Sequence, residues 1–455
     1  MTVNPELFAE VDKLFEAYDK PDVPGCALAI IHEGEIIYKR GYGLANLEYD
    51  IAITPSTVFD IGSVSKQFTA ACALLLEFQG KLKLEDDIHA YLPELNYKQP
   101  ITLSNLIHHT SGTPDYLALM SFAGLPFYND YPEARLLELI ATQPLTFTPG
   151  KAHSYSNSGY FLLAEIIARV SAKSLNEFAT EHIFKPLGMN STQFYDDHTR
   201  LIKNRAMAYT PTDTGFVLEH YKLDVVGDGA VHTTVEDLFL WDQNFYSNKL
   251  AGGKGFIDKL LTPGKLTSGK STGYAFGLGI STYRGQPLTA HAGGWAGYTS
   301  EFWRFPEQKF SIIILSNRGD YAFPRAPSIT KLFLRDVLET DDLASSKPPI
   351  LEPEKVAFQT SAEELEHYRG TYENTALKVQ YEVVVQDNHL VLSLPYNISS
   401  LTLEPTEKDV FDGLGVRHEF KRDKENRVRE FRLIAEQVKP LRFRAYCKKV
   451  VSKIS

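Results

Sequence analysis

Ser63 and Lys66 stand three residues apart in the stretch "FDIGSVSKQFTAA", just ahead of an apolar run that reads as a helix from Ser65 to Phe78. At that spacing two side chains share a helix face about one turn apart. A hydroxyl at a helix start lies beside free backbone N–H groups and the positive end of the helix dipole, which favour an alkoxide. An amine within reach takes the hydroxyl proton only if desolvation or nearby positive charge disfavours its ammonium form. The same residues also fit a plain helix cap followed by a solvated lysine.

Two further groups have residue types suited to chemistry. Tyr155-Ser156-Asn157 closes a polar, glycine-bounded loop before an apolar helical run from about Ser158 to Ser171. A tyrosine beside a cationic lysine can carry a proton, because the charge stabilises phenolate, and the asparagine offers a donor and an acceptor to an acyl amide. Helix capping by Asn157 or Ser158 is the alternative. His291, Gly293 and Gly294 precede a predicted strand, and glycines there let a ligand approach the backbone closely. An amide at that point can join the Ser63 amide in donating to an oxyanion. Trp295 and Tyr298 either wall the pocket or pack in the core.

These groups need elements to hold them. The first helix carries apolar Leu7, Val11, Leu14 and Phe15, and two β-rich runs then flank His32-Glu33-Gly34 as a hairpin. A second hairpin turns at Pro306-Glu307-Gln308, with mostly helical and loop sequence between the two. Strands at both ends with helices between predict one antiparallel sheet assembled from distant parts of the chain and covered by helices. Residues 343–356 are rich in proline, serine and charge and read as a linker. Short alternating runs follow over 357–455, with turns at Asp387-Asn388 and Asp423 to Asn426, and predict a small all-β barrel or sandwich.

Bulk composition narrows the classes. The chain has 455 residues, 43% hydrophobic and 23% charged, which is globular and long enough for one large domain plus a small one. Its formal charge of −10 argues against nucleic acid as a partner. Cys26, Cys72 and Cys447 are too dispersed for a metal or disulfide pattern. His108-His109 does not form a metal pair either, since adjacent helical residues point apart, and no cofactor is implied. The acidic N-terminus lacks a basic and apolar leader, and no run is long enough to span a bilayer, so a soluble, cytoplasmic protein is the expectation. Assembly into a homo-oligomer is left open.

Taken in order, Ser63-Val64-Ser65-Lys66, Tyr155-Ser156-Asn157 and His291-Ala292-Gly293 resemble the three motifs of class C β-lactamase-like and penicillin-binding-protein-like serine hydrolases. The opening hairpin "GCALAIIHEGEIIYKRGYG", the stretch "LSNLIHHTSGTPDY" with His109, "PLGMNST" and "GDGAVHTTVEDLFLW" are similar to further family segments. The resemblance covers about residues 8 to 340, and the tail from Tyr368 to Asn374 onward is similar to a lipocalin-like barrel found in some members. It implies an α/β fold, an antiparallel sheet flanked by helices plus a helical subdomain, over 1–342, and a small all-β barrel over 357–455. It also implies that Ser63 is the acylated nucleophile and that Lys66 and Tyr155 are its proton-transfer pair. Asn157 would contact the acyl side or hold Lys66, and the amides of Ser63 and Gly294 would bind the oxyanion. The barrel would cover the site mouth or mediate assembly.

One departure bears on substrate. His291-Ala292-Gly293 stands where β-lactamases of this class usually have Lys-Thr-Gly, so a fixed cation and a hydroxyl for the substrate carboxylate are missing. The resemblance therefore implies the esterase and D-amino-acid peptidase branch, acting on short peptides, some with D-residues, or small carboxylic esters. A penicillin-binding sensor that is acylated without turnover is the alternative. The expected outcome with a chromogenic cephalosporin is slow or absent turnover; efficient hydrolysis by the purified protein would contradict this reading.

Overall fold

In the computed structural model, residues 5–320, 325–339, 358, 360–393 and 400–446 are described. The hairpin expected at His32-Glu33-Gly34 is formed by β1 (Cys26–His32) and β2 (Glu35–Tyr42). Glu33 and Gly34 both take positive φ, as a two-residue primed turn requires. The rest of the sheet comes from late in the chain, as β3 (Gly279–Tyr283), β4 (Gln286–Trp295), β5 (Tyr298–Phe305) and β6 (Phe310–Ser316). The order is β3-β4-β5-β6-β1-β2, every neighbouring pair antiparallel, with Cys26 opposite Ser316 and His32 opposite Phe310 where the two ends of the chain meet.

Around the sheet lie α1 (Pro5–Phe15), α2 (Lys66–Phe78), α3 (Asn157–Ser171), α4 (Val235–Asn244) and α5 (Ala326–Phe333). The period-two alternation of β1 and β6 divides their side chains between two cores. Ala27, Ala29, Ile31, Ile313 and Leu315 face the larger one, which includes α2. Cys26, Leu28, Ile30, Ile312 and Ile314 face the other, filled by Val11 and Phe15 of α1 and by Ile329 and Phe333 of α5. Helix α2 is buried on all sides from Lys66 to Leu76, which suits its nearly unbroken apolar sequence. Each fully buried leucine there contributes about 1.5–3 kcal/mol. Its polar residues at the first turns are bonded: Gln67 accepts from the Trp241 indole at 3.0 Å and Thr69 donates to the Gly227 carbonyl at 2.7 Å.

The sequence reading misplaced one element. His291 to Gly294 do not precede a strand; they form the second half of β4 and pair with Phe302, Glu301, Ser300 and Thr299 of β5. Glycines and a histidine carry little strand propensity, and only their position in the sheet makes them one.

The tail folds into a closed antiparallel barrel of eight strands, the form expected of a lipocalin-like domain. They are β7 (Gly370–Asn374), β8 (Val379–Gln386), β9 (His389–Ser393), β10 (Ser400–Glu407), β11 (Val410–Gly413), β12 (Val416–Arg422), β13 (Val428–Ala435) and β14 (Val438–Ala445). The first strand closes on the last, Tyr372 facing Ala445. Aromatic rings stack through the interior, with Phe431 and Phe443 parallel at 4.7 Å and Tyr381 on Phe443 at 4.5 Å. The barrel sits against the helical part of the larger unit. The Tyr381 hydroxyl donates to the Phe122 carbonyl at 2.6 Å, and the Asp115 amide donates to the carbonyl of Gln437, in the turn between β13 and β14, at 3.2 Å.

The domain boundaries expected at 342 and 357, the linker over 343–356 and Cys447 lie outside the described residues. Cys26 and Cys72 are buried, unpaired thiols. Among the described residues no helix is long and apolar enough to cross a membrane.

One ion pair ties α4 to the sheet. Arg304 Nε lies 2.6 Å from Asp242 Oδ1, both side chains almost wholly buried, and Ser311 donates to the same oxygen at 2.8 Å. Removing one partner strands the other charge, which costs about 3–5 kcal/mol. Asp242→Ala is therefore expected to lose that much in urea unfolding. A loss below about 1 kcal/mol, the range of exposed pairs, would contradict the assignment.

Candidate active site

Ser63 lies in a 3₁₀ turn, Gly62–Ser65, that leads directly into α2, so the helix begins at Lys66 rather than at the serine. The turn is held from outside. The Ile61 amide donates to the Val231 carbonyl at 3.0 Å, the Val231 amide to Ser65 Oγ at 3.0 Å, and the Ser300 hydroxyl to the Ile61 carbonyl at 2.7 Å. Phe59 and Asp60 pair with Thr233 and His232 in a small separate sheet, which anchors the segment entering the turn. Asp60 accepts from the Gly62 amide at 2.8 Å and from the Tyr221 hydroxyl at 2.6 Å. Burial pushes its carboxyl up to about 6 against those two donors.

Lys66 is fully buried, and its side-chain nitrogen lies within hydrogen-bond distance of three segments at once: Ser63 Oγ at 2.9 Å, Asn157 Oδ1 at 3.0 Å and the Asp228 carbonyl at 2.5 Å. A lysine here is no solvated helix charge. Asn157 is the first residue of α3, and its side chain turns to Lys66 instead of capping the helix. Ser156 holds the cap position without a side-chain cap bond, and Ser158 bonds the Pro114 carbonyl and the Tyr116 amide. Asp115, itself buried, fixes Asn157 by accepting its amide at 2.6 Å.

Tyr155 sits with its ring centroid 4.9 Å from the Lys66 nitrogen, and its buried hydroxyl has no hydrogen-bond partner. Lys66 and Tyr155 are thus brought together face to nitrogen, without the direct hydrogen bond a proton-transfer pair would use. His109 supports this tyrosine from behind. It stands at φ 55, its ring lies 4.3 Å from that of Tyr155, and its Nδ1 accepts the Ser156 amide at 3.2 Å. Burial, with Lys66 next in effect, holds His109 neutral. His291 is hydrogen-bonded to the Tyr274 hydroxyl through Nε2 at 2.9 Å. Burial and then the Lys66 charge push it down to about 4, so it is uncharged near neutral pH.

Close approach of β4 to the Ser63 turn depends on glycine. A Cβ at Gly293 would lie 2.1 Å from the Ile61 carbonyl oxygen and 2.9 Å from the Ser63 amide nitrogen. One at Gly62, already at φ +50, would lie 2.6 Å from the Gly294 amide nitrogen. The Ser63 turn and β4 therefore meet backbone to backbone, with Ser63 and Gly294, whose amides are the expected oxyanion donors, both on the cleft wall.

The cleft has a cavity volume of about 110 Å³ and is lined by Ser63, Tyr155, Asn157 and Gly294, by Tyr116, Tyr221 and Trp295, and by Asp228. Trp295 walls it as expected, whereas Tyr298 points away, its hydroxyl on the Ala206 carbonyl and its ring against a neighbouring cavity. Asp228, Asp115, Tyr274 and Gly62 were not singled out from the sequence. Only the Gly-Asp-Gly pattern at 227–229 offered a signal, and Asp228 meets Lys66 through its backbone.

The family model described as Beta-lactamase matches residues 11–334, and the chain belongs to this family of serine hydrolases. A penicillin-binding protein of Bacillus subtilis (strain 168) is 31% identical over 327 residues, covering 68% of this chain and 71% of that protein. A D-aminopeptidase of Gluconobacter oxydans (strain 621H) is 29% identical over 299 residues, covering 65% of this chain but only 56% of the relative's length. Among solved structures, the octameric penicillin-binding protein homologue from Pyrococcus abyssi matches with a TM-score of 0.62 at 24% identity, over 96% of this chain and 99% of that one. The D-amino acid amidase from Ochrobactrum anthropi SV3 matches at 0.58 and 22% identity, over 72% of this chain and 96% of that one. At these identities the structural likeness speaks for the fold.

Gly293→Ala is expected to wedge β4 off the Ser63 turn, because the clash is with backbone that cannot swing aside. Hydrolysis of a chromogenic ester should fall at least about a hundredfold, the scale of losing one oxyanion donor. Unchanged turnover would show that the two amides are not used.

Proposed function

We propose that this hydrolase works through an acyl-enzyme on Ser63. The observation that carries the reading is the buried Lys66 amine, 2.9 Å from Ser63 Oγ and held there by Asn157 and the Asp228 carbonyl. Ser63 Oγ attacks the substrate carbonyl carbon while its proton passes to the Lys66–Tyr155 pair, whose basic member, the neutral amine or the phenolate, has the lone pair to take it. The amides of Ser63 and Gly294 stabilise the tetrahedral oxyanion. The C–N or C–O bond then breaks, the leaving amine or alcohol takes the proton, and Tyr155 serves in that transfer. Water attacks the ester on Ser63 by the reverse proton route and releases the acid.

The substrates proposed are small: short peptides or amides beginning with a D-residue, and short-chain esters. A cleft of about 110 Å³ lined by four aromatic side chains supports small acyl groups. The D-aminopeptidase and D-amino acid amidase among its relatives support the D-residue preference. The neutral His291, where a lysine would pair with a carboxylate, supports weak use of β-lactams. The octameric Pyrococcus homologue supports a homo-oligomer for this chain too.

The test offers the purified protein a D-alanyl anilide, a short-chain chromogenic ester and a chromogenic cephalosporin, beside Ser63→Ala. Turnover of the first two is expected, with an acyl adduct on the Ser63 peptide by mass spectrometry, and loss of both in Ser63→Ala. Turnover surviving that change would overturn the mechanism. Stoichiometric labelling by the cephalosporin without turnover of any substrate would favour the sensor alternative.

A further inference from the structure

Among the residues that line the cleft there is no lysine, arginine or histidine, and Asp228 is the one carboxylate. Lys66 does not line the cleft; its nitrogen lies behind Ser63 Oγ at 2.9 Å and is wholly covered. Two other acids nearby are covered and bonded: Asp115 accepts the amides of Asn157 and Ala118, and Asp60 accepts the Gly62 amide and the Tyr221 hydroxyl. A ligand in this cleft therefore meets one formal charge on its walls, and that charge is negative.

Asp228 is well placed to use it. Its carbonyl and Ser63 Oγ both accept from the single Lys66 nitrogen, which sets the residue next to the reacting centre. Its Oδ2 accepts from the Tyr116 hydroxyl at 3.0 Å, which orients the carboxylate at the cleft wall. Tyr116, Tyr221 and Trp295 supply aromatic faces around it, surfaces that favour a cation over an anion.

We propose that Asp228 is the subsite for a free ammonium group on the acyl part of the substrate, so that the preferred acyl donors are unblocked amino-acyl amides and esters. The proposal rests on Ser63 as the reacting centre and adds the chemical class that reaches it. Burial alone pushes the Asp228 carboxyl up to about 6, against the Lys66 charge and the Tyr116 hydroxyl. An arriving ammonium favours its charged form and completes a charge-assisted hydrogen bond. A carboxylate-bearing ligand meets repulsion at the same place.

The test measures binding, so it does not need turnover. Full-length Ser63→Ala protein is titrated calorimetrically with D-alanine amide and with N-acetyl-D-alanine amide near neutral pH, where the free amine is largely protonated. The free amine is expected to bind about 10- to 100-fold more tightly, the range for a hydrogen bond to a charged group. Adding Asp228→Asn should bring the two affinities together; asparagine still accepts from Tyr116, and the carbonyl that holds Lys66 is unchanged. Asp228→Glu, which keeps the charge, should retain the preference and serves as the arm to read if the asparagine variant misfolds. Equal binding of the two amides, tighter binding of the acetylated one, or a preference that survives Asp228→Asn would each overturn the proposal. A wrong nucleophile would instead appear as turnover surviving Ser63→Ala, a separate result.

Discussion

Everything in the catalytic part of this molecule depends on where one buried nitrogen is held. Lys66 Nζ reaches acceptors from three stretches of chain, at 63, 157 and 228, that share no local structure. A buried amine without partners would be costly, so these three groups are conditions of folding around Lys66. The turn at 62–65, the start of α3 and the loop before Val231 must all arrive correctly before the lysine can be buried. The helix that bears it is apolar and covered on every side, which leaves the nitrogen one direction to point.

A second constraint is steric. The Ser63 turn and β4 approach backbone to backbone, and Gly62 and Gly293 admit no side chain between them. That contact brings Ser63 and Gly294 to one stretch of the cleft wall, so the proposed oxyanion site belongs to the sheet and the turn together. His291 is kept neutral by burial and by Lys66, and Asp228 is left as the wall's formal charge.

The parts of this arrangement that depend on side-chain type were legible in the sequence. Ser63, Lys66, Tyr155, Asn157 and His291 announce themselves by identity and order, and α2, the two hairpins and the barrel strands follow from hydrophobic period. What escaped reading is carried by backbone or by long-range packing. Asp228 meets Lys66 through a carbonyl that every residue possesses. Tyr274 meets His291 across 17 residues, and nothing local points to it. The segment His291 to Gly294 looked like an approach to a strand because glycine opposes strand formation, yet pairing with β5 overrides that tendency. The phenol of Tyr155 stands free of the lysine, a detail of rotamer and distance that no spacing encodes.

The contact between the barrel and Asp115 has a consequence for how such a chain can vary. The barrel's side of it is the carbonyl of Gln437, so the side chains of that turn play no part in the bond. Substitution at 437 leaves the acceptor in place, whereas inserting or deleting one residue between β13 and β14 moves it away from the acid that fixes Asn157. Lineages of this architecture would therefore preserve the length of that turn while its letters drift, and a comparison based on residue identity alone would pass over it.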